Sequence, residues 1–219
     1  SFWISKALLY ESKEYYEQLG RNIVTVKIQN QSKAYFRLTN DLEGTRMIEE
    51  FSTGIMNGDK SNREAHAAKV YFNLLMGTSF SRGNEDILLN SGLDYGYAVL
   101  RGYIARVCVG YGLNTQIGIH HKNEYNRFNL VDDLMEPLRP LIDIVAYEVM
   151  KNEPYFTAEH RRRLVNVLNM KILYRNKKMF VCNMIENYVE QYASFIMERC
   201  ENIVFPDIDE FVGEELDGL

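Results

Sequence analysis

The sequence predicts a mainly α-helical domain that carries one small β-hairpin. Apolar residues recur at helical spacing over most of the 219 positions, capping and breaking signals separate these stretches, and one short segment has the pattern of a hairpin. The hydrophobic content of 46% is enough for a real core. We expect a linker over residues 1–14, a helical domain over 15–206 and an acidic tail over 207–219.

Two helices are predicted at the start of the chain. The first runs from Tyr15 to about Leu38, and the second from about Asp41 to Met56, where the sequence GDKSN breaks the chain. Apolar and polar residues interleave in the first helix, so we expect it to be long and partly exposed. Its apolar positions are Ile23, Val26 and Ala34, and its polar ones are Lys27, Gln31 and Arg37.

Two further helices precede the middle of the chain. One begins at Ser61, because Ser61 to Glu64 has the pattern of a capping box and strong helix formers follow. The segment SFSRGNEDILLNSG is predicted to be irregular, and the next helix covers Leu93 to Val109. Small residues recur on one stripe of that helix and are expected to let a neighbouring helix approach closely. They are Ala98, Gly102 and Ala105.

A proline-interrupted helix follows a polar loop. The short run QIGIH, residues 116–120, is predicted to be extended and leads into this loop. A helix is then expected from about Leu130 to Met150. Pro137 and Pro140 kink or break it, because proline lacks the backbone donor that a helix needs.

The C-terminal part is predicted to hold the hairpin between two helices. Thr157 caps a helix that reaches Leu168, and the segment KILYRNKKMFV is expected to turn at Arg175 and Asn176. A last helix is expected over residues 183–199.

Composition indicates a cytoplasmic protein with no membrane partner. No apolar run reaches the roughly 18 to 20 residues of a membrane span, and the first residues lack the pattern of a signal peptide. Three isolated cysteines argue against a disulfide framework or a CxxC site, so we expect free thiols at Cys108, Cys182 and Cys200.

The net charge of −5 is concentrated in the predicted tail. Residues 207–219 hold six acidic residues, whereas the rest of the chain holds 25 basic and 24 acidic ones. Positive charge clusters at Arg161, Arg162 and Arg163, which are candidates for binding DNA phosphates. A charge run of this kind is more commonly a solvated helix face.

Asp132, Asp133 and Glu136 predict a group of neighbouring carboxylates. Spacings of three and four residues bring all three to one helix surface, where a cation would relieve their repulsion. Carboxylate oxygens suit Mg²⁺, and an added imidazole makes Mn²⁺ suitable as well. His121, in the sequence GIHHKNEYN, is the candidate nitrogen ligand, and a third ligand would come from elsewhere.

Each of these residues also has a structural interpretation. Acidic residues near a helix start interact favourably with the helix dipole, and a histidine in a polar loop is commonly a hydrogen-bonding residue. Glu64 has a complete role in its capping box. The remaining histidines, His66, His120 and His160, are treated as non-ligands. The residues alone leave both interpretations open.

Three long motifs resemble one protein family. SNREAHAAKVYF (61–72), NSGLDYGYAVLRGYIAR (90–106) and IGIHHKNEYNRFNLVDDLMEPLRPLID (117–143) are similar, in this order and spacing, to CRISPR-associated protein one. That family is the integrase and endonuclease of spacer acquisition, and its type II branch is the most similar. The resemblance covers about residues 20–185 and implies the helical catalytic domain of the family.

The resemblance implies a catalytic metal site. The family's metal ligands fall on Glu64, His121 and Glu136, with Asp133 at the place of a supporting carboxylate and Mg²⁺ or Mn²⁺ as the ion. It implies transesterification, in which a DNA 3′-hydroxyl attacks a phosphodiester of the CRISPR repeat. The partners implied are double-stranded DNA, as prespacer and repeat, CRISPR-associated protein two, and other type II CRISPR proteins.

The family also has an N-terminal β-domain that makes much of its homodimer interface, and this domain is expected to be absent from the present chain. Two other functions remain as alternatives. A helical protein-interaction scaffold without catalysis would carry the same acidic residues and histidines as surface groups, and a metalloenzyme could act on a small phosphoester. Loss of divalent-ion binding on His121→Ala separates the scaffold from both enzymes.

Overall fold

The protein is mainly α-helical, as predicted, in a computed structural model that describes residues 13–56, 62–84, 87–197 and 202–213. Within these ranges the α-helices are α1 (Lys13–Thr39), α2 (Leu42–Glu49), α3 (Arg63–Met76), α4 (Leu88–Gly110), α5 (Asn129–Met135), α6 (Arg139–Met150), α7 (Ala158–Asn166) and α8 (Val181–Ile196). The strands are β1 (Lys171–Tyr174), β2 (Lys177–Phe180) and β3 (Phe211–Gly213).

Several helix boundaries differ from the predicted positions, because capping groups and turns determine where each helix begins and ends. The Asp41 side chain caps α2 by accepting from the backbone N–H groups of Glu43 and Gly44, and the helix continues only as a 3₁₀ turn, Glu50–Ser52. It therefore ends before Met56. Helix α4 begins at Leu88, so part of the segment predicted to be irregular is helical.

The predicted capping box of α3 lies partly outside the described residues, because Ser61 is not among them. Asn62 precedes the helix in a left-handed conformation with φ 54° and makes no side-chain capping bond. At α7 the predicted cap is confirmed. Thr157 accepts from the backbone N–H of His160, and the ring of His160 accepts from the backbone N–H of Thr157.

The two prolines divide the predicted helix over 130–150 into two. Helix α5 ends at Met135, a 3₁₀ turn spans Glu136–Leu138, and α6 begins at Arg139. Pro137 and Pro140 each occupy the first turn of the element that contains them, where a missing N–H costs least. Glu136 keeps right-handed helical φ and ψ angles, and its backbone N–H donates to the backbone oxygens of Asp132 and Asp133.

The hairpin is confirmed and belongs to a three-stranded sheet in the order β2-β1-β3. Arg175 and Asn176 both have positive φ, 52° and 61°, which is the conformation of a two-residue type I′ turn. Strand β3 comes from the segment predicted as a tail, and it pairs antiparallel with β1. Phe211 is buried, and the backbone oxygen of the same residue accepts from Arg37 of α1 at 2.6 Å.

Helix α1 lies at the centre of the fold and packs on α2, α3, α6 and the 3₁₀ turn at Glu136–Leu138. Its apolar face, with Ile23 and Ile28, is fully buried. Lys27, Asn30 and Gln31 are buried with it, although Lys27 and Gln31 are among the polar positions of this helix, which was predicted to be partly exposed. Within the described part of the chain, no helix combines the length and hydrophobicity that crossing a membrane requires.

Close helix packing occurs in α4, but at other residues than the stripe predicted. Gly96 faces α6, where an added Cβ would lie 2.5 Å from Ile142 Cγ2. Gly102 faces open space, and Ala98 is exposed. The contact face follows the large buried residues Leu93, Leu100 and Ile104.

Gly96→Ala is expected to lower the free energy of unfolding by about 1 to 3 kcal/mol, because the buried and β-branched Ile142 has no room to move away. Gly102→Ala in the same helix is the matched control. It should raise the free energy of unfolding by roughly 0.5 to 1 kcal/mol, since alanine restricts the unfolded chain. Urea unfolding measures both. Equal effects of the two substitutions would contradict the packing described.

Candidate metal centre

Two glutamates from distant elements converge on one lysine. Glu64 lies in the first turn of α3, and its Oε1 accepts from Lys27 Nζ at 2.5 Å. Glu136 lies at the start of the 3₁₀ turn, and its Oε2 forms an ion pair with the same Nζ. Lys27 is 8% exposed and Glu136 only 3%. The two carboxylates predicted to bind a metal therefore share one cation.

The second oxygen of each glutamate also has a cationic neighbour. Arg139 Nε donates to Glu136 Oε1 at 2.8 Å, and His120 Nε2 lies 3.4 Å from Glu64 Oε2. Burial by itself disfavours a charged lysine, but Glu136 and Glu64 outweigh this, so the pKa of Lys27 is raised. Burial likewise opposes ionisation of Glu64, yet its contacts with His120 and Lys27 hold its pKa far below the usual range. The site thus combines buried Lys27 and Glu136 with half-buried Glu64 and His120 in mutual contact.

Arg139 is itself held by an aromatic and acidic neighbour. Its guanidinium lies over the ring of Tyr97, 4.7 Å from the centroid, and the Tyr97 hydroxyl hydrogen-bonds Asp143. Burial raises the pKa of Asp143 to about 6, and the hydrogen bond from Tyr97 acts in the opposite direction. This arrangement fixes the side chain that orients Glu136.

Asp133 organises the loop that carries the histidines. Its carboxylate is fully buried and accepts from the backbone N–H groups of Ile119, His120 and His121. It also contacts the His121 ring, with Nδ1 2.6 Å from Oδ1. Residues 116–120 wrap around this carboxylate in turns and bends, so the prediction that they are extended is wrong.

Gly118 allows the loop to close around Asp133. A Cβ at this position would collide with the backbone oxygen of His121 and lie 2.8 Å from the Cβ of Asn129. Asn129 ties the other side of the loop, because its side-chain nitrogen donates to the backbone oxygens of Gln116 at 3.1 Å and Asn123 at 2.8 Å. Side chains on α5 therefore fix the backbone from Gln116 to Asn123.

The two histidines of the pair have different partners. The hydrogen bond that the His121 ring donates to Asp133 outweighs burial and raises the pKa of His121. The charges of Glu136 and Glu64 raise it further. With Nδ1 on Asp133, the Nε2 of His121 is the ring nitrogen left for a ligand. His120, treated as a non-ligand, contacts Glu64 directly.

The acidic residues of α5 do not form the shared surface cluster predicted from their spacing. Asp132 binds Arg101 and Asn126, each at 2.7 Å, while Asp133 and Glu136 have the partners described above. All three carboxylates are buried, and each balances its charge separately. The helical spacing is kept, because the Glu136 backbone N–H donates to the backbone oxygen of Asp132, but burial with separate partners replaces the shared surface.

A divalent ion fits the donor set, although the ligands are not assembled as a cluster. Among residues 13–56, 62–84, 87–197 and 202–213, no group of three or more His, Cys, Asp or Glu side chains is arranged to hold a metal ion. Glu64 and Glu136 nevertheless converge on a single cation, and hard oxygens with one imidazole suit Mg²⁺ or Mn²⁺. The ammonium of Lys27 stands where these carboxylates would share an ion.

The predicted arginines lie elsewhere. Arg161, Arg162 and Arg163 are exposed on α7, which packs against α4 and α6. They line an open depression of about 760 Å³ together with Tyr95 and Asn166. Arg162 pairs with Glu159 at 2.6 Å, and the Arg161 guanidinium lies 5.3 Å from the centroid of the Phe156 ring.

Comparison with known sequences identifies one family. Residues 2–175 match the family described as CRISPR associated protein Cas1. The chain is 33% identical over 209 residues to the CRISPR-associated endonuclease Cas1 of Neisseria meningitidis serogroup C (strain 8013), an alignment that covers 94% of this chain and 68% of that protein. The chain thus spans about two thirds of that relative's length.

Solved structures have the same fold. A casposase bound to its integration product gives a TM-score of 0.72 at 18% identity, covering 98% of this chain and 72% of the casposase chain. A chain of a partial Cas6-RT-Cas1–Cas2 complex gives 0.75 at 17% identity, with 91% and 72% covered. At these identities the likeness shows the fold alone.

Asp133→Asn is expected to lower the pKa of His121, because the ring loses its carboxylate partner. It should also reduce the free energy of unfolding by about 1 to 3 kcal/mol, because the amide can replace only part of the buried carboxylate's bonds. The folded pKa of His121 lies above its unfolded value of 6.5, so this pair stabilises the protein below about pH 6.5 and the effect fades as pH rises through the folded pKa. Titration of the His121 ring by NMR and urea unfolding across pH measure the two effects.

Asp94→Asn is the control for this prediction, since Asp94 is an exposed carboxylate on α4 whose side chain pairs with Arg82. It should leave the His121 titration unchanged. If Asp133→Asn also left that titration unchanged, Asp133 would not be the group that holds the ring.

Proposed function

The chain belongs to the CRISPR associated protein Cas1 family, and from this premise we propose that it is a DNA endonuclease and integrase of CRISPR adaptation. The observation that carries the proposal is the convergence of Glu64 and Glu136 on one buried cation, Lys27. The similar protein from Neisseria meningitidis is named an endonuclease, and the casposase of the same fold is bound to an integration product.

The proposed cofactor is Mg²⁺ or Mn²⁺, held by Glu64, Glu136 and the Nε2 of His121. Such an ion neutralises charge on a phosphate and lowers the pKa of an attacking hydroxyl. The surrounding residues prepare its ligands. Asp133 fixes the orientation of the His121 ring, and Arg139 fixes one oxygen of Glu136.

The proposed reaction is a transesterification at phosphorus. The oxygen of a DNA 3′-hydroxyl forms a bond to the phosphorus of a target strand, the bond to that strand's own 3′-oxygen breaks, and the proton passes to the leaving oxygen or to solvent. Water in place of the 3′-hydroxyl gives hydrolysis, which is endonuclease activity. The requirement is the same in both cases: an in-line nucleophile and compensation of charge on the phosphate oxygens.

The proposed partners follow from the family and from the surface. Double-stranded DNA, as prespacer and CRISPR repeat, is the substrate, and the exposed Arg161 to Arg163 run is a candidate contact for its backbone. CRISPR-associated protein two is the proposed protein partner, supported by the Cas1–Cas2 complex among the structures of the same fold. A homodimer and other type II CRISPR proteins complete the proposed assembly.

A helical scaffold is the alternative function, but buried ions argue against it. Surface decoration does not require Glu136 and Lys27 to be removed from water, and that removal costs free energy that pairing often does not recover. An enzyme acting on a small phosphoester would have the same site. A branched DNA substrate separates this enzyme from an integrase.

Glu64→Gln and His121→Ala are each expected to reduce strand transfer from a branched, half-integrated DNA by about 100-fold or more in Mn²⁺ at low salt, because each removes a proposed ligand. Gel analysis of a labelled strand gives the rate. His66→Ala, two residues after Glu64 and exposed on α3, is the matched control and should keep wild-type activity. Full activity of Glu64→Gln would contradict the proposed site.

Replacing Arg161, Arg162 and Arg163 by alanine is expected to weaken binding to duplex DNA and to flatten its salt dependence. The slope of log affinity against log salt should fall by about one for each arginine that contacts a phosphate. Fluorescence anisotropy over a salt series measures the slope. Arg46→Ala, an exposed arginine on α2, is the control. An unchanged slope in the triple variant would place the DNA elsewhere.

A further inference from the structure

Lys27 is an unusual residue for its position in α1. It lies one helical turn from Ile23 and next to Ile28, on a face that is otherwise packed into the core. A buried ammonium loses its hydration, and an apolar side chain at such a position commonly gives equal or greater stability. The residue therefore has a role that packing alone does not require.

The contacts of Lys27 define that role. Its Nζ contacts Glu64 Oε1 and Glu136 Oε2, one oxygen from each proposed metal ligand. The other two oxygens face His120 and Arg139. Each of the four carboxylate oxygens thus has a cationic or imidazole neighbour, and one oxygen of each glutamate contacts the same Nζ of Lys27.

A divalent ion that bridges the two glutamates where they meet at Lys27 needs the same oxygens. Ligand oxygens lie about 2.0 to 2.2 Å from Mg²⁺ or Mn²⁺, so an ion and an ammonium cannot both occupy the space between the glutamates. Binding of the ion requires Lys27 to leave at least one carboxylate. Without any cation, two buried carboxylates repel each other and move apart or take up protons.

We propose that Lys27 is an internal cation that holds Glu64 and Glu136 together in the metal-free protein and competes with the divalent ion for them. This inference rests on the proposed metal-dependent function. It makes Lys27 a positioning residue whose charge lowers the apparent affinity for metal. A lysine that only stabilised the fold would have no such effect on metal binding.

Isothermal titration calorimetry with Mn²⁺ alone, without DNA, tests the proposal. Lys27→Met should bind Mn²⁺ about tenfold or more tightly than the wild type, because the competing charge is gone. Lys27→Arg, which keeps the charge, should stay close to the wild type. Lys33→Met is the matched control on the same helix and should not change the affinity for Mn²⁺. The Nζ of Lys33 pairs with Asp207 Oδ2, at 2.6 Å, instead of with the two glutamates.

The outcomes separate this inference from the function on which it rests. Equal or weaker Mn²⁺ binding by folded Lys27→Met, beside measurable binding by the wild type, would overturn the role of Lys27 and leave the metal site standing. If neither the wild type nor folded Lys27→Met bound Mn²⁺, the metal-dependent function itself would be overturned.

A measurement on the wild type covers the case in which Lys27→Met does not fold. The side-chain ammonium of Lys27 is followed by ¹⁵N NMR, with Lys27→Arg used to assign its signal, while Mg²⁺ is added. Displacement requires this signal to shift or broaden on saturation, with that of Lys33 unchanged. A constant Lys27 signal during saturable Mg²⁺ binding would overturn the proposal.

Discussion

Burial of the Lys27 charge constrains the whole centre of the molecule. An ammonium in the core of a helical protein is stable only if carboxylates reach it from elsewhere, and Glu64 and Glu136 come from two separate elements to do so. The start of α3 and the 3₁₀ turn after α5 must therefore meet at one point of α1. One turn further along, Asn30 donates to the backbone oxygens of Pro137 at 2.8 Å and Pro206 at 2.9 Å, which ties the same turn and the C-terminal segment to α1.

The histidine loop is built on a different principle. Glu136 is fixed by a helix break and by ionic contacts, whereas His121 is fixed by a loop folded around the single carboxylate of Asp133. That carboxylate uses three backbone donors and one ring nitrogen, so it leaves little conformational freedom to residues 119–121. Gly118 is the residue that lets the backbone approach so closely. Ring orientation and loop shape are thus determined together.

Much of the fold could be predicted from the sequence, because its signals are local. The Thr157 cap, the Arg175–Asn176 turn and the prolines at 137 and 140 act through their own backbone conformations, and the structure has each of them in the predicted role. The third strand could not be predicted, since Phe211–Gly213 is short and its pairing with β1 depends on contacts far along the chain. The boundary of the domain at residue 206 stays a prediction.

The candidate site was only partly visible in the sequence. Long motifs mark Glu64, His121 and Glu136, but they do not include Lys27, which the helical pattern marks only as a polar position. Its spacing of four from Ile23 and seven from Ala34 places it on the buried face, and this spacing was the available signal. The contact of His120 with Glu64 had no such signal, because adjacent loop residues have no fixed relative direction.

The pairing of two carboxylates with two cations has a further consequence for how a metal ion and DNA affect each other's binding. Glu64, Glu136, Lys27 and Arg139 cancel one another, so this part of the site is close to electroneutral before any ligand arrives. A divalent ion entering it would leave two positive charges in excess inside a region of low dielectric. Each phosphodiester of a DNA strand brings one negative charge and would restore part of the balance. The ion and the DNA backbone would therefore favour each other's binding, by the same factor in both directions.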